Sequence, residues 1–95
     1  MELDLDLVLQ AVGSRPTAWR PARGSGYTRS GAWQVEFADG TVFVKQADDQ
    51  GSLTMLGREA LVYSSVTGPF LPAFVGFADA GDRAVLAVEY LSDAH

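Results

Sequence analysis

A single lysine, Lys45, stands among six arginines and ends the strand-like run Thr41-Val42-Phe43-Val44-Lys45. Glu59 follows fourteen residues later, in a helix-like segment. An ammonium is a compact point charge that reaches between phosphate groups, where a planar guanidinium fits poorly. A carboxylate at this separation can hold such an ammonium in place. Upstream lies Gly24-Ser25-Gly26-Tyr27-Thr28-Arg29-Ser30-Gly31, a polar stretch with three glycines. Backbone amides in a loop of that kind can close over phosphates. Loop, ammonium and carboxylate are the three parts of a nucleotide-phosphate site, and they occur in the order such a site requires.

Hydrophobic periodicity and turn chemistry give the elements that must position these residues. Residues 2–12 read as a short amphipathic helix, with Leu5, Val8, Leu9 and Val12 at helical spacing and Gly13 as the stop. The alternation of Leu3, Leu5, Leu7 and Leu9 also permits a strand. The segment from Ser14 to Arg23 holds Pro16 and Pro21 and reads as an irregular connection with a short strand around Thr17–Arg20. Ala32–Phe37 and Thr41–Lys45 alternate apolar and polar residues about an Asp39-Gly40 turn, a hairpin pattern. Gln46–Leu53 is polar, with Asp48-Asp49 reading as a solvated turn, and leads into a helix from about Thr54 to Val66 that Gly68-Pro69 stops. Phe74–Ala78 and Arg83–Leu91 form a second hairpin about Asp79-Ala80-Gly81-Asp82. Trp19 and Trp33 read as packing residues.

Strand geometry extends the site from phosphate to base. Phe43 and Lys45 are two apart and share one face of a sheet, so a cleft that receives the lysine also receives the phenyl ring, which can stack on adenine. Val42 and Val44 then point the other way, toward the helix. The last strand borders the same cleft and offers the backbone carbonyl of Glu89 and the amide of Leu91 to the adenine edge. Each residue also has a plainer reading. Lys45 can be a solvated strand end, Glu59 a member of an exposed charge cluster with Arg58, and Phe43 a core residue.

Composition narrows the function classes. Ninety-five residues make a single domain, 1–95, too small for two lobes. Twelve acidic against seven basic residues, a net charge of −5, speak against a nucleic-acid groove or an anionic membrane surface as partner. There is no cysteine, and the only histidine is His95, so a protein-held metal centre has almost no ligands. The start Met1-Glu2-Leu3-Asp4 is acidic where a secretion signal is basic, and no apolar run approaches the roughly 18 residues of a spanning helix. A cytoplasmic location is expected.

Several segments together resemble the aminoglycoside and choline type phosphotransferases of the protein-kinase-like fold. They are Gly26-Tyr27-Thr28, Ala38-Asp39-Gly40-Thr41-Val42-Phe43-Val44-Lys45, Arg58-Glu59-Ala60-Leu61-Val62-Tyr63, Phe70-Leu71-Pro72 and Val88-Glu89-Tyr90-Leu91-Ser92-Asp93-Ala94-His95. The resemblance covers the whole chain but only the amino-terminal lobe of that fold. It implies an α+β domain, a five-stranded antiparallel sheet with one packed helix, preceded by an extra amino-terminal helix. It also implies ATP as cofactor, bound by Lys45, Glu59, the loop Gly24, Ser25, Gly26 and Tyr27, and the frame of Phe43, Glu89 and Leu91. The full-length protein would transfer the γ-phosphate to a small-molecule hydroxyl, with Mg2+ ligands in a second lobe. The chain departs from the pattern in two ways. A third loop glycine would fall near Arg29, and with no asparagine anywhere the catalytic loop has no place in these residues, so no catalytic residue is expected here and the chain alone should be inactive. The alternative is a non-catalytic interaction or regulatory domain of the same fold. Either version should expose the surface near Met55, Leu56, Tyr90 and Leu91 and so invite self-association.

Overall fold

The computed structural model describes residues 3–22, 31–66 and 73–90. The chain order is α1 (Leu5–Val12), β1 (Ala18–Pro21), β2 (Gly31–Phe37), β3 (Gly40–Ala47), α2 (Gln50–Ser65), β4 (Phe74–Asp79) and β5 (Ala84–Glu89). The five strands form one antiparallel sheet in the order β1-β2-β3-β5-β4, which places β3 at its centre. Two hairpins, β2–β3 and β4–β5, are joined by α2, and β3 pairs with β5 across that connection. This is the α+β architecture expected from the resemblance.

Alternation, interrupted in β4 between Phe74 and Gly76, divides the sheet into two faces. Val35, Phe37, Val44, Val85 and Ala87 form one core with Leu3, Leu7 and Val8 of the α1 region. Ala47, Ala84, Leu86 and Val88 form the other with Leu56 and Ala60 of α2, and Phe43 packs against that second cluster. Val42 and Val44 do point away from Phe43 and Lys45, but the helix they meet is α1. Helix α2 lies on the lysine's own face, as an ion pair between the two requires. β5 is buried on both faces and reads as an unbroken apolar run, Ala84-Val85-Leu86-Ala87-Val88.

Capping sets the helix ends. Asp4 is extended, and its carboxylate accepts from the Leu7 amide, so α1 begins at Leu5. Gly13 closes it in the left-handed conformation, φ 86°, with its amide donating to the Leu9 carbonyl. The buried stripe is Leu3, Leu7 and Val8, while Leu5, assigned to the apolar face from spacing, is exposed. At about 100° per residue the packed positions Leu7, Val8, Ala11 and Val12 define the stripe, and Leu5 falls at its edge. Asp49 caps α2 by accepting from the Ser52 amide and the Ser52 hydroxyl. The helix therefore starts at Gln50, four residues before the position expected from its polar first turn, and Asp49 is a cap rather than part of a solvated turn. It ends at Ser65, with Val66 as C-cap; Gly68-Pro69 lies outside the described residues.

One glycine governs the fit of α1 on the sheet. A Cβ on Gly76 would collide with the Ala11 backbone carbonyl, so helix and strand approach main chain to main chain at this point. The N-terminal end of α1 is tied by side chains instead. Gln46, buried in β3, accepts from the Asp4 amide at 2.7 Å, and the Asp4 carboxylate pairs with Arg83 of the β4–β5 turn.

Candidate functional site

Lys45 lies near the C-terminal end of β3 and Glu59 in the third turn of α2, and the two side chains meet. The ammonium donates to both carboxylate oxygens of Glu59, at 2.7 and 3.0 Å. The lysine side chain is 10% exposed and the glutamate 29%, so the pair is largely withdrawn from water but open on one side. A charge removed from solvent this far is costly unless paired, and charge-assisted hydrogen bonds to both oxygens supply the compensation. The reading of Lys45 as a solvated strand end, and that of Glu59 as part of an exposed cluster, both fail on this contact.

The strand register arranges the rest of the site along one face. Phe43 lies opposite Val88, and Lys45 opposite Leu86, so Tyr90 continues the same row beyond Val88. From the end of β5 the face therefore runs Tyr90, Phe43, Lys45, with about 7 Å between successive positions along a strand. A cavity of about 540 Å³ opens over the first part of this row, lined by Arg20, Pro21, Ala22, Gln34, Phe43 and Tyr90. Its volume falls in the range of small-molecule sites, and two aromatic rings with a carboxamide and a guanidinium provide stacking surface and polar contacts. Phe43 packs against the α2-side core and also borders the cavity, so its core contact does not remove it from the lining.

Arg20 and Gln34 are not among the site residues expected from sequence, and Tyr90 is expected there only as part of the strand end Glu89-Tyr90-Leu91 and of the exposed surface. Gln34 falls on the polar phase of β2, which reads as a solvent face until pairing sets it opposite Phe43. Arg20 lies opposite Gln34 on β1 and pairs loosely with Glu36 at 3.3 Å. Nothing local to either residue signals the cavity; the register does. Tyr90 had a usable signal, two residues past Val88 in the same strand phase.

The remaining expected site residues divide. Glu89 ends β5, where its amide donates to the Ala73 carbonyl at 2.8 Å and its carboxylate accepts from the Ala73 amide at 3.2 Å. Its side chain shares the α1 face with Val42, away from the lysine. Gly24, Ser25, Gly26, Tyr27 and Leu91 lie outside the described residues. Of the surface expected to be open, Met55 is 68% exposed, but Leu56 is buried in the α2-side core at 4%. Neighbouring helix positions point 100° apart, and the apolar pair divides between solvent and sheet. Among the described residues no group of three His, Cys, Asp or Glu side chains is placed to hold a metal ion, and no helix is long and apolar enough to cross a membrane.

No family model matches this sequence, and no curated protein matches it. The fold does have counterparts among solved structures. One is the crystal structure of spectinomycin phosphotransferase APH(9)-Ia in complex with ADP and spectinomycin, with a TM-score of 0.61 and 15% sequence identity. The likeness takes in 93% of this chain and 28% of that one. The chain thus has the fold of a segment of a nucleotide-bound phosphotransferase, little more than a quarter of that enzyme's length.

Proposed function

We propose that this chain is the ATP-binding amino-terminal lobe of a small-molecule phosphotransferase. The observation that carries the reading is the Lys45–Glu59 pair, held at 2.7 Å at the end of a row that begins with Tyr90 and Phe43 beside a ligand-sized cavity. The residues fit a nucleotide in kind and order. Phe43 and Tyr90 supply ring faces for a base, and Gln34 and Arg20 line the same cavity. Lys45 supplies a fixed cation for phosphate oxygens, with Glu59 as the positioning residue that keeps it extended. The glycine loop 24–31 would cover the phosphates, and the backbone of Glu89 and Leu91 would meet the base edge.

ATP would supply the phosphoryl group for transfer to a small-molecule hydroxyl in the full-length protein. With no asparagine in the chain, the transfer step and the Mg2+ ligands are assigned to a second lobe, and these residues bind and orient. The isolated chain should therefore bind nucleotide weakly and turn nothing over. A cytoplasmic location accords with ATP as cofactor.

The second reading, an interaction domain of the same fold, draws on α2. Met55, Leu61, Val62 and Val66 are all more than half exposed, and an open apolar surface of this kind favours docking or self-association. One titration separates the two. Fluorescent trinitrophenyl-ATP should bind the chain saturably and be displaced by ATP. Lys45→Ala should weaken binding at least about tenfold, the value of one charge-assisted contact, and Lys45→Arg should not restore it. Binding that survives Lys45→Ala unchanged, or no displaceable binding, overturns the nucleotide reading. Sedimentation velocity checks the docking face, which should produce concentration-dependent association.

A further inference from the structure

The sheet carries a second cavity, of about 390 Å³, on the face opposite the Lys45–Glu59 pair. It lies between the C-terminal end of α1, the β2–β3 turn and the ends of β4 and β5. Its apolar lining includes Val12, Phe37, Val42 and Val75, and its carboxylates are Asp39 and Glu89. No lysine or arginine among the described residues lines it. A closed hydrophobic core has no use for a recess of this size, and a solvated surface has no use for four apolar side chains around it.

The carboxylates are placed by main chain. Glu89 is held at the end of β5, where one oxygen accepts from the Ala73 amide at 3.2 Å and the other accepts from no described residue. Asp39 sits in the tight turn before Gly40 and makes no hydrogen bond or ion pair with any described residue. The turn and the strand end are brought together because β3 pairs with β5 from Val42 opposite Glu89 onward. The cavity therefore offers an apolar recess with two anionic groups in its lining, and the matching ligand has an apolar body and a positive end.

We propose that this cavity binds a small organic ammonium ion, with its hydrocarbon part against Val12, Phe37, Val42 and Val75 and its charge on Asp39 and Glu89. The site needs no nucleotide and stands whether or not the opposite face binds one. It is one sheet layer from that face. Val42 lines this cavity and Phe43 the other, and Glu89 lines this one and Tyr90 the other. A ligand on one side therefore touches residues whose chain neighbours line the other cavity.

Phenethylammonium and its uncharged analogue phenethyl alcohol are probes of matching shape. In an NMR titration of the chain without nucleotide, phenethylammonium should give saturable shifts at Val12, Val42 and Val75, followed by Phe43 and Tyr90, with Leu56 on the far core unmoved. Phenethyl alcohol should bind at least about tenfold more weakly, and so should phenethylammonium to the Asp39→Asn, Glu89→Gln double variant, if the charge contributes about the energy of one tenfold step. Asn is as common a turn residue as Asp, and position 39 holds no positive φ, so Asp39→Asn leaves the β2–β3 connection intact. Equal binding of amine and alcohol, unchanged amine binding to the double variant, or no saturable shifts would each overturn the proposal.

Discussion

On one face of the sheet an eight-residue helix sits with its backbone against a glycine; on the other, a helix of sixteen residues reaches β3 through an ion pair. Both bury two of their own side chains, Leu7 and Val8 in α1, Leu56 and Ala60 in α2, although one helix is twice as long. Helix α1 is capped at both ends, tied to Gln46 and Arg83, and seated main chain to main chain at Gly76. Helix α2 leaves Met55, Leu61 and Val62 in solvent and spends its central polar contact on Lys45. Close packing allows a helix one position, whereas a pair of flexible charged side chains tolerates adjustment. The α1 face works as scaffold, and the α2 face holds a largely buried cation through one side-chain pair.

The comparison breaks most directly at Gly76. Gly76→Ala should cost about 3 kcal/mol or more, because the group in its way is the Ala11 carbonyl, which has no rotamer to change. Urea unfolding measures this, and a midpoint close to that of the parent would mean that α1 is seated as loosely as α2. Within α2, Leu56→Ala should lose about 2–3 kcal/mol for its deleted buried volume, and Met55→Ala one position away should stay within about 0.5 kcal/mol. Comparable losses at both positions would show that the exposed side of α2 is covered in solution.

The smallest effect at neutral pH concerns Asp4. Burial alone would raise its carboxyl, but the hydrogen bond from Arg83, the Leu7 amide and the Arg83 charge together hold it below the ordinary aspartate value. A depressed carboxyl contributes stability above its unfolded value, and that contribution is lost as pH falls through the folded one. Acid unfolding of the parent should therefore steepen below about pH 4, and Asp4→Asn, which keeps a competent cap, should flatten that limb. Identical acid limbs would remove Asp4 from the account of how α1 is anchored.

The fold was largely legible from sequence where its signals are local. The Asp39-Gly40 turn between alternating runs located β2 and β3, Gly13 ended α1, and Asp79 to Asp82 separated β4 from β5. The α2 start was misplaced because Gln50-Gly51-Ser52 has no apolar periodicity, and only the Asp49 side chain bonded to Ser52 reveals the cap. Within the site, Lys45, Glu59 and Phe43 could be named from residue type, phase and spacing. Arg20 and Gln34 could not, since a polar residue on a polar strand phase looks the same whether it faces water or a cavity.

Sequence by itself determined which residues alternate, which turns are tight, and that one lysine on a strand precedes one glutamate on a helix, all consequences of chemistry within a few residues. Tertiary structure decided which face each helix covers. It also decided that β3 and β5 pair across α2 to align Tyr90, Phe43 and Lys45, and that Asp39 and Glu89 come to share a cavity. These outcomes depend on register between segments tens of residues apart. Register is fixed by the collective fit of two cores against one sheet, which no local stretch encodes.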